Sequence, residues 1–143
     1  MLVRLLFVAV LLALATLAYK WWDSRQGRVR RVDIPGALSS ATLGGPRGER
    51  ATFVQFSTPI CAKCPPTRAL LQRVAAEQPH VTHVEIDAAE RLDLARELHI
   101  MRTPTTLVLN SDGVIVARMD GAPTEHQARE ALEAAPPPSE YSI

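Results

Sequence analysis

The spacing of apolar and polar positions changes several times along this chain, and each change marks an element. From Leu5 to Tyr19 only Thr16 interrupts an apolar run. Counted from Leu2, with Arg4 reaching an interface along its aliphatic stem, the run has about 18 residues, the lower edge for a membrane-spanning helix. Tyr19, Trp21 and Trp22 follow beside Lys20, as at a membrane–water boundary. A transmembrane anchor is expected over 2–22. The competing assignment is a cleaved secretory signal. Ala13-Leu14-Ala15 resembles a cleavage site but lies inside the run, and Thr16-Leu17-Ala18 is better placed with a poorer first residue.

Residues 23–50 turn polar, basic and Gly-rich and read as a linker. Within it an edge strand is expected over Val29–Val32 and a short helix over Leu38–Leu43. From Ala51 the pattern sharpens. Ala51–Phe56 is rich in β-formers and predicts a strand. Pro66–Glu77 has helical spacing, with Leu70, Leu71, Val74 and Ala75 as the stripe to be buried. Val81–Ile86 alternates as a second strand. Asp87-Ala88-Ala89-Glu90 looks like a capping box, which predicts a helix from there to Leu98. Thr105–Leu109 and Val114–Arg118 flank Asn110-Ser111-Asp112-Gly113, a hairpin signal. Thr124-Glu125-His126-Gln127 caps a last helix running to Ala135. Three prolines, Pro136 to Pro138, end it, and residues 136–143 are expected to be a disordered tail. A strand–helix–strand unit followed by a hairpin gives an α/β fold: a mixed central sheet flanked by helices, with one domain over 51–135.

Charge refines this picture only locally. The 143 residues carry a net charge of +1, so nothing draws the chain to nucleic acid. Around the apolar run the balance is lopsided. Arg4 and the amine precede it, whereas Lys20, Arg25, Arg28, Arg30 and Arg31 follow. Basic flanks stay on the cytoplasmic side, which places the domain there in a single-pass protein. An extracytoplasmic domain whose basic linker touches anionic headgroups is the alternative. The lipid bilayer is a partner either way.

The two cysteines, Cys61 and Cys64, can form one bridge, half a metal site or a redox pair. Cys61 falls where the first strong strand meets its helix. A helix N-terminus carries partial positive charge, so a lowered thiol pKa and an attacking role are expected for Cys61, with Lys63 adding charge nearby. Cys64 is close enough to resolve a mixed disulfide. Pro65 and Pro66 predict either a distorted first turn or a helix that begins only near Pro65. The metal alternative pairs Cys61 and Cys64 with His80 and His83 as a zinc module. Those histidines are close together for that role, and His83 lies in an alternating strand. His99 and His126 are expected at the surface, and Met101 and Met119 in packing.

Several stretches together resemble the thioredoxin family. They are Thr52-Phe53-Val54-Gln55-Phe56, the Cys61-Ala62-Lys63-Cys64 pair, Val84-Glu85-Ile86-Asp87, Arg102-Thr103-Pro104-Thr105-Thr106-Leu107, and then Asp112-Gly113 and Gly121. With its anchor and basic linker the chain is similar to membrane-tethered thioredoxin-like proteins of actinobacterial type. The resemblance implies a thioredoxin-like fold and thiol–disulfide exchange, with Cys61 as nucleophile and Cys64 as resolving thiol. It implies a cis Thr103–Pro104 bond whose loop presents backbone to a substrate chain. It also implies protein disulfides as substrates, an unidentified partner that recharges the pair, and no cofactor or metal. Ile60 stands where the family commonly has Trp, and Ala62-Lys63 where it has Gly-Pro. Gln55 replaces a buried acid and His83 the Lys usually paired with it. Gln55 cannot take a proton from Cys64. His83 titrates near neutrality and is the candidate acceptor, or else an ordinary hydrogen-bonded strand residue. Loss of the acid leaves a second alternative, a redox-inactive binding protein passing a soft metal such as copper through its thiolates.

Overall fold

Every residue of the strand Ala51–Ser57 is buried, which makes it a central strand covered on both faces. The computed structural model describes residues 1–136. The elements are α1 (Leu2–Asp23), β1 (Val29–Ala37), α2 (Ser40–Leu43), β2 (Ala51–Ser57), α3 (Cys64–Glu77), β3 (Val81–Asp87), α4 (Leu92–Glu97), β4 (Thr105–Asn110), β5 (Val114–Asp120) and α5 (Glu125–Glu133). The five-stranded sheet has the order β1-β5-β4-β2-β3. β2 pairs parallel with β3 and antiparallel with β4, and β4–β5 and β5–β1 are antiparallel.

Alternation along the strands builds two cores. Ala51 and Phe53 of β2, Val108 of β4 and Met119 of β5 face α3 and α5, which supply Leu71, Val74, Ala128 and Leu132. Val54, Phe56, Leu107, Leu109 and Ile115 face the other way, onto Leu43 of α2 and Leu94, Ala95 and Leu98 around α4. The expected α3 stripe holds: Leu71, Val74 and Ala75 are buried and Leu70 packs at the margin.

Local chemistry explains most element ends. Asn110 Oδ1 accepts from the amides of Asp112 and Val114 at 3.0 Å each, and Gly113 takes φ 84° to close the β4–β5 hairpin. The capping box at α5 is formed, Thr124 Oγ1 accepting from Gln127 N and Gln127 Oε1 from Thr124 N. Two expectations change. The segment 87–90 does not start a helix. Asp87 is the last residue of β3, opposite Ser57, and its carboxylate instead accepts from Ala89 N at 2.7 Å in an Asx turn. α4 therefore begins only at Leu92. Within 23–50, β1 is longer than expected, lies in the sheet beside β5 and is followed by α2. The free connection after α1 is only Ser24-Arg25-Gln26-Gly27-Arg28. The expectation for the tail concerns residues beyond 136, outside the described range.

α1 has 22 residues, about 33 Å at 1.5 Å per residue, enough for a hydrocarbon layer of about 30 Å. Among the described residues, nothing buries its side chains. It is long and apolar enough to cross a membrane. The Arg25 guanidinium stacks 3.6 Å from the centre of the Trp21 ring just past its end.

Candidate active site

Cys61 and Cys64 are joined in a disulfide, with Cα atoms 5.4 Å apart. The pair sits in the turn between β2 and α3. Cys61 N donates to Thr58 O and Cys64 N to Cys61 O, each at 3.2 Å. α3 begins at Cys64 with Lys63 as N-cap, so Cys61 lies just ahead of the helix. Pro65 and Pro66 fall in the first turn, where backbone N–H groups have no partner inside the helix. They cost no hydrogen bond there, and the first turn is regular: Thr67 N bonds Lys63 O at 3.2 Å. Cys61 is partly exposed, whereas Cys64 is 2% exposed. A disulfide partner can reach the first sulfur and not the second.

The Thr103–Pro104 bond is cis, and its loop lies beside the cysteine turn. Thr103 Oγ1 and Thr58 Oγ1 are 3.2 Å apart. Pro104 O accepts from Gly121 N at 2.8 Å, and Thr105 Oγ1 donates to Arg102 O at 2.7 Å. Among the described residues no backbone hydrogen bond uses Thr103, so its amide and carbonyl remain open to an extended chain laid alongside.

Beneath the disulfide, the α3-facing side of the sheet turns polar. Gln55 is fully buried. Its Nε2 donates to Cys64 O and to Ser57 Oγ, both at 3.0 Å. With both amide hydrogens so used, Oε1 faces His83 Nε2 at 3.0 Å, and that nitrogen must be the donor. Among the described residues His83 thus reaches Cys64 only through Gln55, and its other ring nitrogen is Nδ1. Next along β3, Glu85 is gripped by Nε and Nη2 of Arg68 on α3, the second at 2.8 Å. The Arg68 hydrogen bond holds the Glu85 carboxyl below its usual value against the opposing effect of burial, with Ser57 assisting. Burial pushes the His83 imidazole below 6.5; Glu85 opposes this and Arg68 adds to it.

The His83 shift sets a pH dependence. The unfolded chain takes up a proton near pH 6.5 that the folded chain resists, so stability is complete above that pH and falls as pH drops through the lower folded value. The urea midpoint of the protein should decline on going from about pH 7.5 to about pH 5.5. His83→Gln keeps a donor for Gln55 and should flatten that decline. Glu85 acts in a separate, more acidic window below its ordinary 4.5.

Other side chains singled out from the sequence are scattered. Lys63 Nζ points toward the end of α1, 3.3 Å from Gln26 Oε1 and 3.8 Å from Asp23 Oδ1. His80 pairs with Glu49 at 2.7 Å. His99 and His126 are exposed. Among the described residues no three His, Cys, Asp or Glu side chains are gathered to hold a metal ion, so the zinc arrangement of Cys61, Cys64, His80 and His83 is not formed. Met119 is buried, but Met101 is 86% exposed and Ile60 95% exposed. They leave apolar surface next to the cis-proline loop and the cysteines, not in a core. Arg68 and Glu85 lie on separate elements, and no local sequence signal pairs them.

The family model named Thioredoxin matches residues 47–134, more than half of the chain. The thioredoxin of Methanocaldococcus jannaschii is 35% identical over 79 residues, which cover 54% of this chain and 87% of that protein. Among solved structures, spinach chloroplast thioredoxin f is 28% identical with a TM-score of 0.54, covering 62% of this chain and 72% of that one. Thioredoxin NaTrxh from Nicotiana alata is 26% identical with a TM-score of 0.55, covering 62% and 76%. The matched region contains the bonded cysteines, the cis-proline loop and strands β2 to β5 of the sheet, and the chain belongs to the thioredoxin family as a thiol–disulfide oxidoreductase.

Proposed function

We propose that the chain is a membrane-anchored oxidoreductase in which Cys61 attacks and Cys64 resolves. The difference in exposure between the two bonded cysteines carries this assignment. In the reducing direction the Cys61 thiolate attacks one sulfur of a protein disulfide. A mixed disulfide forms and one substrate thiolate leaves. Cys64 then attacks Cys61 Sγ, closing the internal disulfide and releasing the second thiolate. Two electrons and two protons pass to the substrate, and an external dithiol must return them. The partial positive charge at the α3 N-terminus favours the thiolate beside it. Thr103 and Pro104 would receive the substrate chain. Gln55 and His83 would be positioning residues: Gln55 fixes the Cys64 carbonyl, and His83 fixes Gln55.

The anchor would be α1, with Trp21 and Trp22 at the interface. The functional domain would begin at β1, since that strand completes the sheet. The basic residues after α1 favour a cytoplasmic domain acting as a reductase. Labelling with a membrane-impermeant maleimide tests this in cells. Cys61 should label after permeabilisation and not before, in a chain that stays in the membrane fraction after carbonate washing. Labelling in intact cells would place the domain outside. Recovery of a shortened, soluble chain would make the apolar segment a cleaved signal.

A further inference from the structure

The anchor and the cysteines lie at the same end of the sheet. Register places Val29, Met119, Thr106 and Gln55 in one row across β1, β5, β4 and β2. Beyond that row lie the residues leading into β1, the Thr103–Pro104 loop before β4, and the turn after β2 that holds Cys61. α1 joins the domain there, through five residues, Ser24 to Arg28. Such a link spans at most about 18 Å even when fully extended, and here it is folded. Gly27 N donates to Asp120 O at 2.8 Å, and a Cβ on Gly27 would meet Pro123 Cα at 2.6 Å. The turn is therefore seated on the loop after β5. Lys63, between the cysteines, reaches Gln26 and Asp23, the last residue of α1. A cavity of about 700 Å³ opens at this end, lined in part by Trp21, Trp22, Arg25, Arg30 and Arg102. Its arginines suit an anionic headgroup layer.

We infer that the Cys61–Cys64 pair is held facing the bilayer surface, and that its exchange partner is a membrane-resident protein whose own cysteine pair lies at that surface. The inference rests on the anchored reading of α1. The chemistry is the same exchange, two electrons passing between one cysteine pair and the other. A bulky soluble protein would have to enter between the domain and the lipid.

The test uses the full chain in phosphatidylcholine vesicles containing phosphatidylglycerol and energy-transfer acceptors on the headgroups. One variant carries a fluorophore on Cys61, with Cys64→Ser. Another carries it on Asp112→Cys in the β4–β5 hairpin, with both native cysteines replaced by Ser. The Cys61 probe should be nearer the bilayer by about 20 Å, the length of six-residue β4. Equal distances, or a nearer Asp112 probe, would overturn the inference while leaving the exchange chemistry untouched. A second arm inserts about 20 Gly/Ser residues after Ser24, reaching roughly 25 Å on average. The insertion should raise the rate on a soluble folded disulfide protein by about tenfold, because orientation no longer limits encounter. An unchanged, measurable rate would sink the proposed orientation. If neither chain reduces that protein or a short disulfide peptide, the exchange function itself fails, and the inference with it.

Discussion

Cys61→Ser should reduce the rate of insulin disulfide reduction by roughly 10³-fold or more, to the uncatalysed background. The reason is geometric as well as chemical. Cys64 keeps its thiol in this variant, but it is 2% exposed at the first position of α3. Its carbonyl is fixed by Gln55, so it cannot turn outward to replace the missing nucleophile. The fold should survive. The two cysteines are close in sequence, so their bridge closes a very short loop and constrains the unfolded chain little. A urea midpoint close to that of the reduced wild type, together with lost turnover, would assign the loss to chemistry. Substantial residual turnover would show that Cys64 or another route carries the exchange.

Phe53→Ala should cost about 3–5 kcal/mol of stability. Phe53 is fully buried in β2, between Val108 of β4 and His83 of β3. It belongs to the cluster that joins the sheet to Leu71 and Val74 of α3 and Leu132 of α5. Removing the ring leaves a cavity that close-packed neighbours on three elements cannot fill. Against a typical domain stability of about 5–15 kcal/mol, the loss is severe. At roughly 4 °C per kcal/mol for a domain of this size, the melting temperature should fall by about 12–20 °C, which differential scanning calorimetry would measure. A drop of only a few degrees would mean that α3 is not held through this core. Since α3 carries Cys64 at its first position, the packing that resists this substitution also sets the geometry of the redox pair.

The parts of this fold legible in the sequence are those fixed by short-range chemistry. Asn110 and Gly113 close the hairpin, and Thr124 with Gln127 caps α5, all within a few residues of their partners. The stripe of α3 follows from its period. The start of α4 is not legible, because Asp87 has the chemistry of a cap but is spent at the end of β3. The full length of β1 is not legible either, because an edge strand presents charged residues such as Arg30 and Arg31 to solvent, which weakens alternation. At the site, the cysteines, the proline loop and the departure at Gln55 were visible one residue at a time. Their connections were not. The Gln55–His83 bond, the Arg68–Glu85 pair and the reach of Lys63 to Asp23 each join distant parts of the chain. Only the folded sheet brings them together.

The division of labour between the two sulfurs is tested most directly by trapping. Cys64→Ser protein should be mixed with a short disulfide-bearing peptide and analysed without reductant by mass spectrometry. A covalent adduct through Cys61, dissolved by dithiothreitol and missing when Cys61→Ser is added, is the expected result. A reduced, correctly folded Cys64→Ser protein that forms no such adduct would contradict the account.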